Sequence, residues 1–300
     1  MMRQLFLFLS TQKGMRKWME TSPSAQKLTR RFIAGETLED ELAVCARLAD
    51  RKISSTLDHL GENVTSLAEA EASRDAYLTA LAEIAKRKLP STVSIKLTQF
   101  GLDLSPEACL ENVQALSLRA TSTGSHVEID MESTEYTDRT LAVVEKIGTA
   151  RAVMQAYLYR TAADIDHLNS LKIPVRLCKG AYNEPPSVAF PSKRDVDQNY
   201  LKLMKVLLDK GTYPAIASHD ETILGEAFRY ARERKIAPEK FEFQMLNGIR
   251  NDLQQRIIDL GYRLRVYVPY GVAWYPYFMR RLAERPANVL FLAKNVFKGN

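Results

Sequence analysis

Val93-Ser94-Ile95-Lys96-Leu97-Thr98-Gln99-Phe100-Gly101-Leu102-Asp103-Leu104-Ser105-Pro106-Glu107 holds one strand and the start of one helix. Val93–Leu97 reads as a short strand, apolar at every second position. Ser105 is a suitable N-cap, and Pro106 falls at the first helical position, where its missing N–H would be unpaired anyway. Working outward, the same unit recurs. Ile53–Leu57 reads as a strand, with a helix from about Ser66 to Arg87. His126–Asp130, Ala152–Ala156, Val175–Cys178, Ala215–Ser218, Phe241–Met245 and Leu264–Tyr267 read as strands downstream. The helices after them end near Ile147, begin near Thr161, cover about Val196–Asp209, run through Arg234, lie near Asp252–Leu260 and include Tyr277. Eight β-then-α units imply a parallel sheet with helical crossovers. Eight is also the number that closes a (β/α)8 TIM-like barrel of roughly 250 residues. An open doubly wound sheet is the alternative.

Residues 1–52 read as an N-terminal helical arm before a barrel spanning 53–300, one structural domain overall. Met15, Trp18 and Met19 share a helical face, Ser22-Pro23-Ser24 is a break, and a second helix starts at Thr37-Leu38-Glu39-Asp40 and runs through Cys45 to about Arg51. The apolar patch Leu5–Leu9 is expected to pack on its own domain, with a membrane or partner contact as the alternative. That patch is too short for a signal-peptide core, and no apolar run approaches a membrane span, so the chain reads as cytoplasmic. The three cysteines, Cys45, Cys109 and Cys178, are widely spaced, and the four histidines form no H-x-x-x-H pair. A disulfide framework and a protein metal site are therefore not expected. The net charge of +6 is spread among mixed basic and acidic residues with no Lys/Arg stripe, which gives no footprint for nucleic acid. No G-x-G-x-x-G follows a strand and no G-x-x-x-x-G-K-[ST] occurs, so a nucleotide would not be held by a Rossmann or P-loop turn.

In a barrel the chemistry sits at the C-terminal ends of the strands. In chain order those ends deliver Asp58 and His59; Lys96 and Gln99; Asp130, Met131 and Glu132; Gln155 and Tyr157; Arg176, Lys179 and Tyr182; Ser218, His219 and Asp220; Gln244, Met245 and Leu246; then Tyr267 and Tyr270. Each alone reads as a loop polar group or an ion pair. Their density is that of a site. The segment Y-F-M-R-R-L-A-E-R-P-A-N, Tyr277–Asn288, adds a helix with Tyr277, Arg280, Arg281 and Glu284 on one face and Phe278 and Leu282 on another. Pro286 ends it. Paired guanidinium groups suit a carboxylate or phosphate; the plainer reading is a solvated ion-pair face.

The strings S-I-K-L-T-Q-F-G, E-I-D-M-E, Q-A-Y-L-Y-R-T, V-R-L-C-K-G-A-Y, A-S-H-D, F-E-F-Q-M-L, R-V-Y-V-P-Y-G and R-R-L-A-E-R-P-A-N, in that order, resemble the motif series of proline dehydrogenases. The resemblance runs from about Leu57 to Asn288, and the departures at Cys178 and Asn247 leave the charged residues alone. It implies a distorted (β/α)8 barrel whose last helix lies over the mouth, with non-covalent FAD. It implies that Lys96, Arg280 and Arg281 hold the proline carboxylate while Glu284 and Asp130 balance the charge. Tyr182, Leu246, Tyr267 and Tyr277 would complete the substrate site. Met131, Gln155, Arg176, Lys179, Gly180, Ala181, Ser218 and His219 would contact FAD.

By the same resemblance, proline becomes Δ1-pyrroline-5-carboxylate by hydride transfer to flavin N5. Asp130 and Arg176 are the expected catalytic residues: Arg176 beside N5, and Asp130, like Tyr267, as base or orienter near the amine. Electrons would pass to a quinone, with peripheral contact at the inner face of the membrane. The chain ends at Asn300 without an aldehyde-dehydrogenase module, so a separate pyrroline-5-carboxylate dehydrogenase is the expected pathway partner. Two other classes stay open on the residues themselves: a barrel aldolase with Lys96 or Lys179 as Schiff-base lysine, and a non-catalytic anion binder.

Overall fold

The computed structural model describes residues 29–284, with side chains through Met279 of the last helix. The readings placed on Leu5–Leu9, Met15–Met19 and Ser22–Ser24 lie outside the described residues. The strands are β1 (Ser54–His59), β2 (Ser91–Ile95), β3 (Val127–Ile129), β4 (Arg151–Gln155), β5 (Val175–Cys178), β6 (Ala215–Ala217), β7 (Glu242–Leu246) and β8 (Leu264–Tyr270). They close into a barrel in chain order, every pair parallel, with β1 against β8. The described helices are α1 (Leu38–Asp50), α2 (Leu67–Lys86), α3 (Pro106–Ser122), α4 (Thr137–Ile147), α5 (Thr161–Ser170), α6 (Lys193–Lys210), α7 (Glu221–Glu233), α8 (Asn251–Asp259) and α9 (Trp274–Glu284). The closed barrel replaces the open sheet.

Local signals start the helices. Ser105 accepts the N–H of Ala108 at 3.2 Å, with Pro106 at the first position of α3. Thr37 and Asp40 form a capping box at α1: each side chain takes the other's backbone N–H, at 3.2 and 3.1 Å. Ser66, Ser192 and Asp220 cap α2, α6 and α7.

Strands β1 and β8 are longer than their sequence suggests. Pro269 lacks an N–H and argues against a strand past Tyr267. Yet Asp58 pairs with Pro269 and His59 with Tyr270, so both strands continue to the barrel mouth. The Tyr270 carbonyl accepts from Leu60, just past β1, at 2.8 Å, while the Pro269 carbonyl accepts from Ala34, ahead of α1, at 2.9 Å.

The two terminal helices divide the work of closing the barrel. Helix α1 packs on β1 and β8, on the outer wall. Its Glu41 is fully buried and accepts the N–H of Asp58 at 3.3 Å. Burial, then the neighbouring Asp58, pushes the Glu41 carboxyl well above its usual range. Helix α9 instead buries Trp274, Tyr277, Phe278 and Met279 against Phe32, Ile33, Leu60 and Ile249. Leu60 and Ile249 follow the ends of β1 and β7, so α9 lies over the mouth.

If α1 is part of the wall, truncating its core side chain must weaken the whole barrel. Leu42 is 1% exposed, and Leu42→Ala is expected to lower unfolding free energy by about 2–5 kcal/mol in a denaturant titration. A change of only tenths of a kcal/mol would mean that α1 is a detachable arm.

Candidate active site

Asp130 follows β3 directly and is the hub of the site. Its Oδ1 accepts from Ser94 Oγ at 2.8 Å and from the Arg176 guanidinium. Its Oδ2 accepts from Tyr267 OH at 2.9 Å and from Lys96 Nζ at 3.4 Å. Lys96 also donates to Asp58 Oδ1 at 3.4 Å. Arg176 continues inward, with Nη1 at 3.0 Å from Glu128 Oε2, and lies 5.4 Å from the Tyr267 ring centroid. Side chains from β2, β5 and β8, with Lys96 just after β2, thus converge on one carboxylate, and Asp58 of β1 joins through Lys96.

The protonation pattern follows from burial against pairing. Burial alone would raise the Asp130 carboxyl, but Arg176 and Lys96, with the hydrogen bonds from Ser94 and Tyr267, hold it below its usual range. Burial works against the Lys96 ammonium, yet Asp58 and Asp130 keep it charged. Asp58 is raised, by burial first, with Lys96 opposing. Burial and then Asp130 push the Tyr267 phenol well up, so it is a donor here. The arrangement offers an ionised acceptor flanked by two fixed cations and a phenol. A lysine held charged by two acids is a poor Schiff-base nucleophile, which counts against Lys96 as an aldolase lysine.

A second group forms a flank along the ends of β4 to β7. Gln155 donates to the carbonyl of Glu132 at 2.9 Å and accepts the N–H of Ala181 at 3.3 Å. Lys179 reaches Asp197 at 2.5 Å and Asp220 at 2.9 Å, away from the Asp130 cluster. Ser218 accepts the N–H of Asp220 at 3.1 Å, and His219 Nε2 accepts the N–H of Leu246 at 2.8 Å. Gly180 has φ +117°, and a Cβ there would fall 2.3 Å from the Tyr157 ring. Met131 is buried next to Asp130, and Leu246 ends β7 half-buried. Tyr182 is half-buried and within electrostatic reach of Lys96, as Tyr277 on α9 is of Tyr267. Arg280, Arg281 and Glu284 belong to α9, but their side chains lie outside the described residues. Among the described residues no cluster of His, Cys, Asp or Glu could hold a metal ion, and no helix is long and apolar enough to cross a membrane.

The strand-end reading missed the layer beneath. Glu128, Arg151, Glu242 and Arg265 are buried inside the barrel, with Arg151 donating to Glu242 at 2.6 Å and Arg265 to Glu242 at 3.0 Å. Arg151 and Arg265 hold the Glu242 carboxyl at about 2 although burial opposes this. The available signal was period-two spacing: Glu128 precedes Asp130, and Glu242 precedes Gln244, by two residues on the same strand face. Ser94 carried no signal beyond its place two residues before Lys96.

The Gly180 turn can be tested alone. Gly180→Ala is expected to cost about 1–3 kcal/mol from the left-handed backbone and the Tyr157 clash, read as a fall in melting temperature. Gly124 shares a positive φ, +72°, but a Cβ there meets nothing within 4 Å. Gly124→Ala is therefore expected to cost clearly less, and equal losses would show that the Tyr157 contact yields freely.

Comparison with known proteins adds an independent line. The family profile described as proline dehydrogenase matches residues 42–294. Proline dehydrogenase 1 of Bacillus subtilis is 42% identical over 99% of this chain and 100% of its own. The proline dehydrogenase of Deinococcus radiodurans is 38% identical over 91% of each. Among solved structures, proline utilization A of Bdellovibrio bacteriovorus, inactivated by N-propargylglycine, superposes with a TM-score of 0.81 at 27% identity, over 87% of this chain and 33% of that one.

Proposed function

The chain belongs to the proline dehydrogenase family, and we propose that it oxidises L-proline to Δ1-pyrroline-5-carboxylate with non-covalent FAD as the hydride acceptor. It is an oxidoreductase of the first step of proline breakdown. The single observation that carries the finer reading is the Asp130 hub: an ionised carboxylate, two cations and a phenol meeting at the barrel mouth.

The residues present fit a flavin. Gly180 turns the backbone at the end of β5, with the Tyr157 ring filling the place a Cβ would take, and the turn brings the Ala181 N–H to Gln155. Gln155, Lys179, Ser218 and His219 offer polar groups beside it. We assign Met131, Gln155, Arg176, Lys179, Gly180, Ala181, Ser218 and His219 to FAD. When bound, the flavin supplies the two-electron acceptor.

The protein's own residues do the rest. Lys96, Arg280 and Arg281 would bind the proline carboxylate, with Glu284 balancing the charge. Tyr182, Leu246, Tyr267 and Tyr277 would enclose the ring. Asp130 and Tyr267 would orient the amine. Neither is a strong base, because two cations hold Asp130 ionised and Tyr267 stays protonated. Arg176 would stabilise the negative charge that develops in the site. Electrons would pass to a quinone, with peripheral contact at the inner face of a membrane and the protein otherwise cytoplasmic. A pyrroline-5-carboxylate dehydrogenase would consume the product. Residues 1–52 and 53–300 would act as an arm and a catalytic barrel within one structural domain.

The purified protein should be yellow and release FAD on denaturation; a colourless protein that binds no added FAD rejects the reading. Charge-assisted hydrogen bonds contribute roughly 1.5–3 kcal/mol each. Arg281→Met is therefore expected to lower kcat/KM for proline by about ten- to a hundred-fold, mainly through KM, with FAD content unchanged. Proline amide, which lacks the carboxylate charge, should be a poor substrate for the wild type and lose much less on mutation. Equal losses on both substrates would contradict carboxylate binding.

A further inference from the structure

We infer that Glu128 is a positioning residue for Arg176: from inside the barrel it aims the guanidinium toward the reaction centre and takes up part of its charge. The inference rests on the proposed role of Arg176 beside the flavin.

Glu128 is fully buried, and its partners come from nearly all round the barrel. Its Oε1 accepts from Thr56 on β1 at 3.2 Å, Arg151 on β4 at 3.3 Å and Gln244 on β7 at 3.2 Å. Only a carboxylate near the barrel axis can reach strands so far apart. Its Oε2 faces the other way, 3.0 Å from Arg176 Nη1 on β5, with Gln244 at 3.2 Å. Gln244 braces the contact by accepting from Arg176 Nη1 at 3.3 Å. One carboxylate therefore bridges Arg151 and Arg176, with Arg265 Nε 4.0 Å from Oε1, and of the three only Arg176 belongs to the reaction centre.

Charge decides what this contact does. Burial would favour a neutral Glu128, but Arg151 and Arg176 hold it ionised. Arg176 thus lies between two carboxylates of one strand face, Asp130 above and Glu128 below. Asp130 also answers to Lys96 and Tyr267, so it cannot fix the guanidinium alone. In a dry interior each anion screens the field that Arg176 projects into the site. With Glu128 neutral, that field becomes more positive, and reduced flavin, which carries negative charge, becomes easier to form.

Glu242 provides the control. It is equally buried and paired with Arg151 and Arg265, but has no bond to Arg176. The test is the two-electron midpoint potential of the bound flavin, with a melting curve, in the FAD-loaded wild type, Glu128→Gln and Glu242→Gln. Glu128→Gln is expected to raise the ratio of reduced to oxidised flavin at fixed potential at least ten-fold, about 30 mV. Glu242→Gln should lose comparable thermal stability and move the potential far less. Equal potentials in all three proteins, or equal shifts in both variants, would overturn the assignment. If Glu128→Gln does not fold, Glu128→Asp keeps the charge but is too short to span both arginines. With the charge kept and the aim lost, the cation stabilises reduced flavin less, so the potential should fall below that of the wild type; an unmoved or raised potential in folded Glu128→Asp rejects the proposal. A wild type that binds no flavin fails at the earlier reading, visible before any variant is made.

Discussion

A carboxylate kept ionised out of water is the constraint on which the rest of this structure depends. Asp130 is half-buried, and desolvation raises its carboxyl, but four donors more than offset it: Arg176, Lys96, Ser94 and Tyr267. They come from the β2, β5 and β8 sides of the barrel, so the charge survives only if those strands keep their register. Breaking such a pair costs more than it contributes net, because the orphaned charge remains buried. The site and the closed barrel are therefore mutually dependent.

The requirement propagates downward. Arg176 needs more than Asp130, and Glu128 answers it; Glu128 then needs Arg151, and Glu242 joins Arg151 to Arg265. The result is a barrel filled largely by a ladder of paired charges, with Thr56, Thr92 and Gln244 occupying remaining hydrogen-bonding positions. The apolar core is displaced outward, between strands and helices, as Leu57, Val93, Ile129, Leu177 and Phe243 show. Charge in the interior fixes direction, which a reaction centre needs, while the outer shell holds the fold together.

Much of this was legible in the sequence, for local reasons. Strand runs, helix caps such as Ser105 and the polar strand ends are encoded within a few residues. Other features depend on partners distant in the chain. Helix α1 reads as part of an arm, and its contacts with β1 and β8, more than two hundred residues away in the second case, are not encoded nearby. Pro269 argues locally against a strand that β1 nonetheless completes. Glu128 and Glu242 sit in strands read as buried, where a lone acid carries no instruction without sight of the arginines from β4, β5 and β8. Lys179 follows β5, but its acids, Asp197 on α6 and Asp220 at the start of α7, are not visible from the strand.

The central claim is that the ionised Asp130 organises the reaction centre. Its most direct test is anaerobic rapid mixing with proline, following the bleaching of bound flavin, in the wild type and in Asp130→Asn. The amide keeps the size of the side chain and removes the charge that Arg176 and Lys96 are paired with. With flavin content matched, the variant should bleach at least about a hundred-fold more slowly at saturating proline, the loss of one or two charge-assisted hydrogen bonds. Bleaching at the wild-type rate would contradict the account.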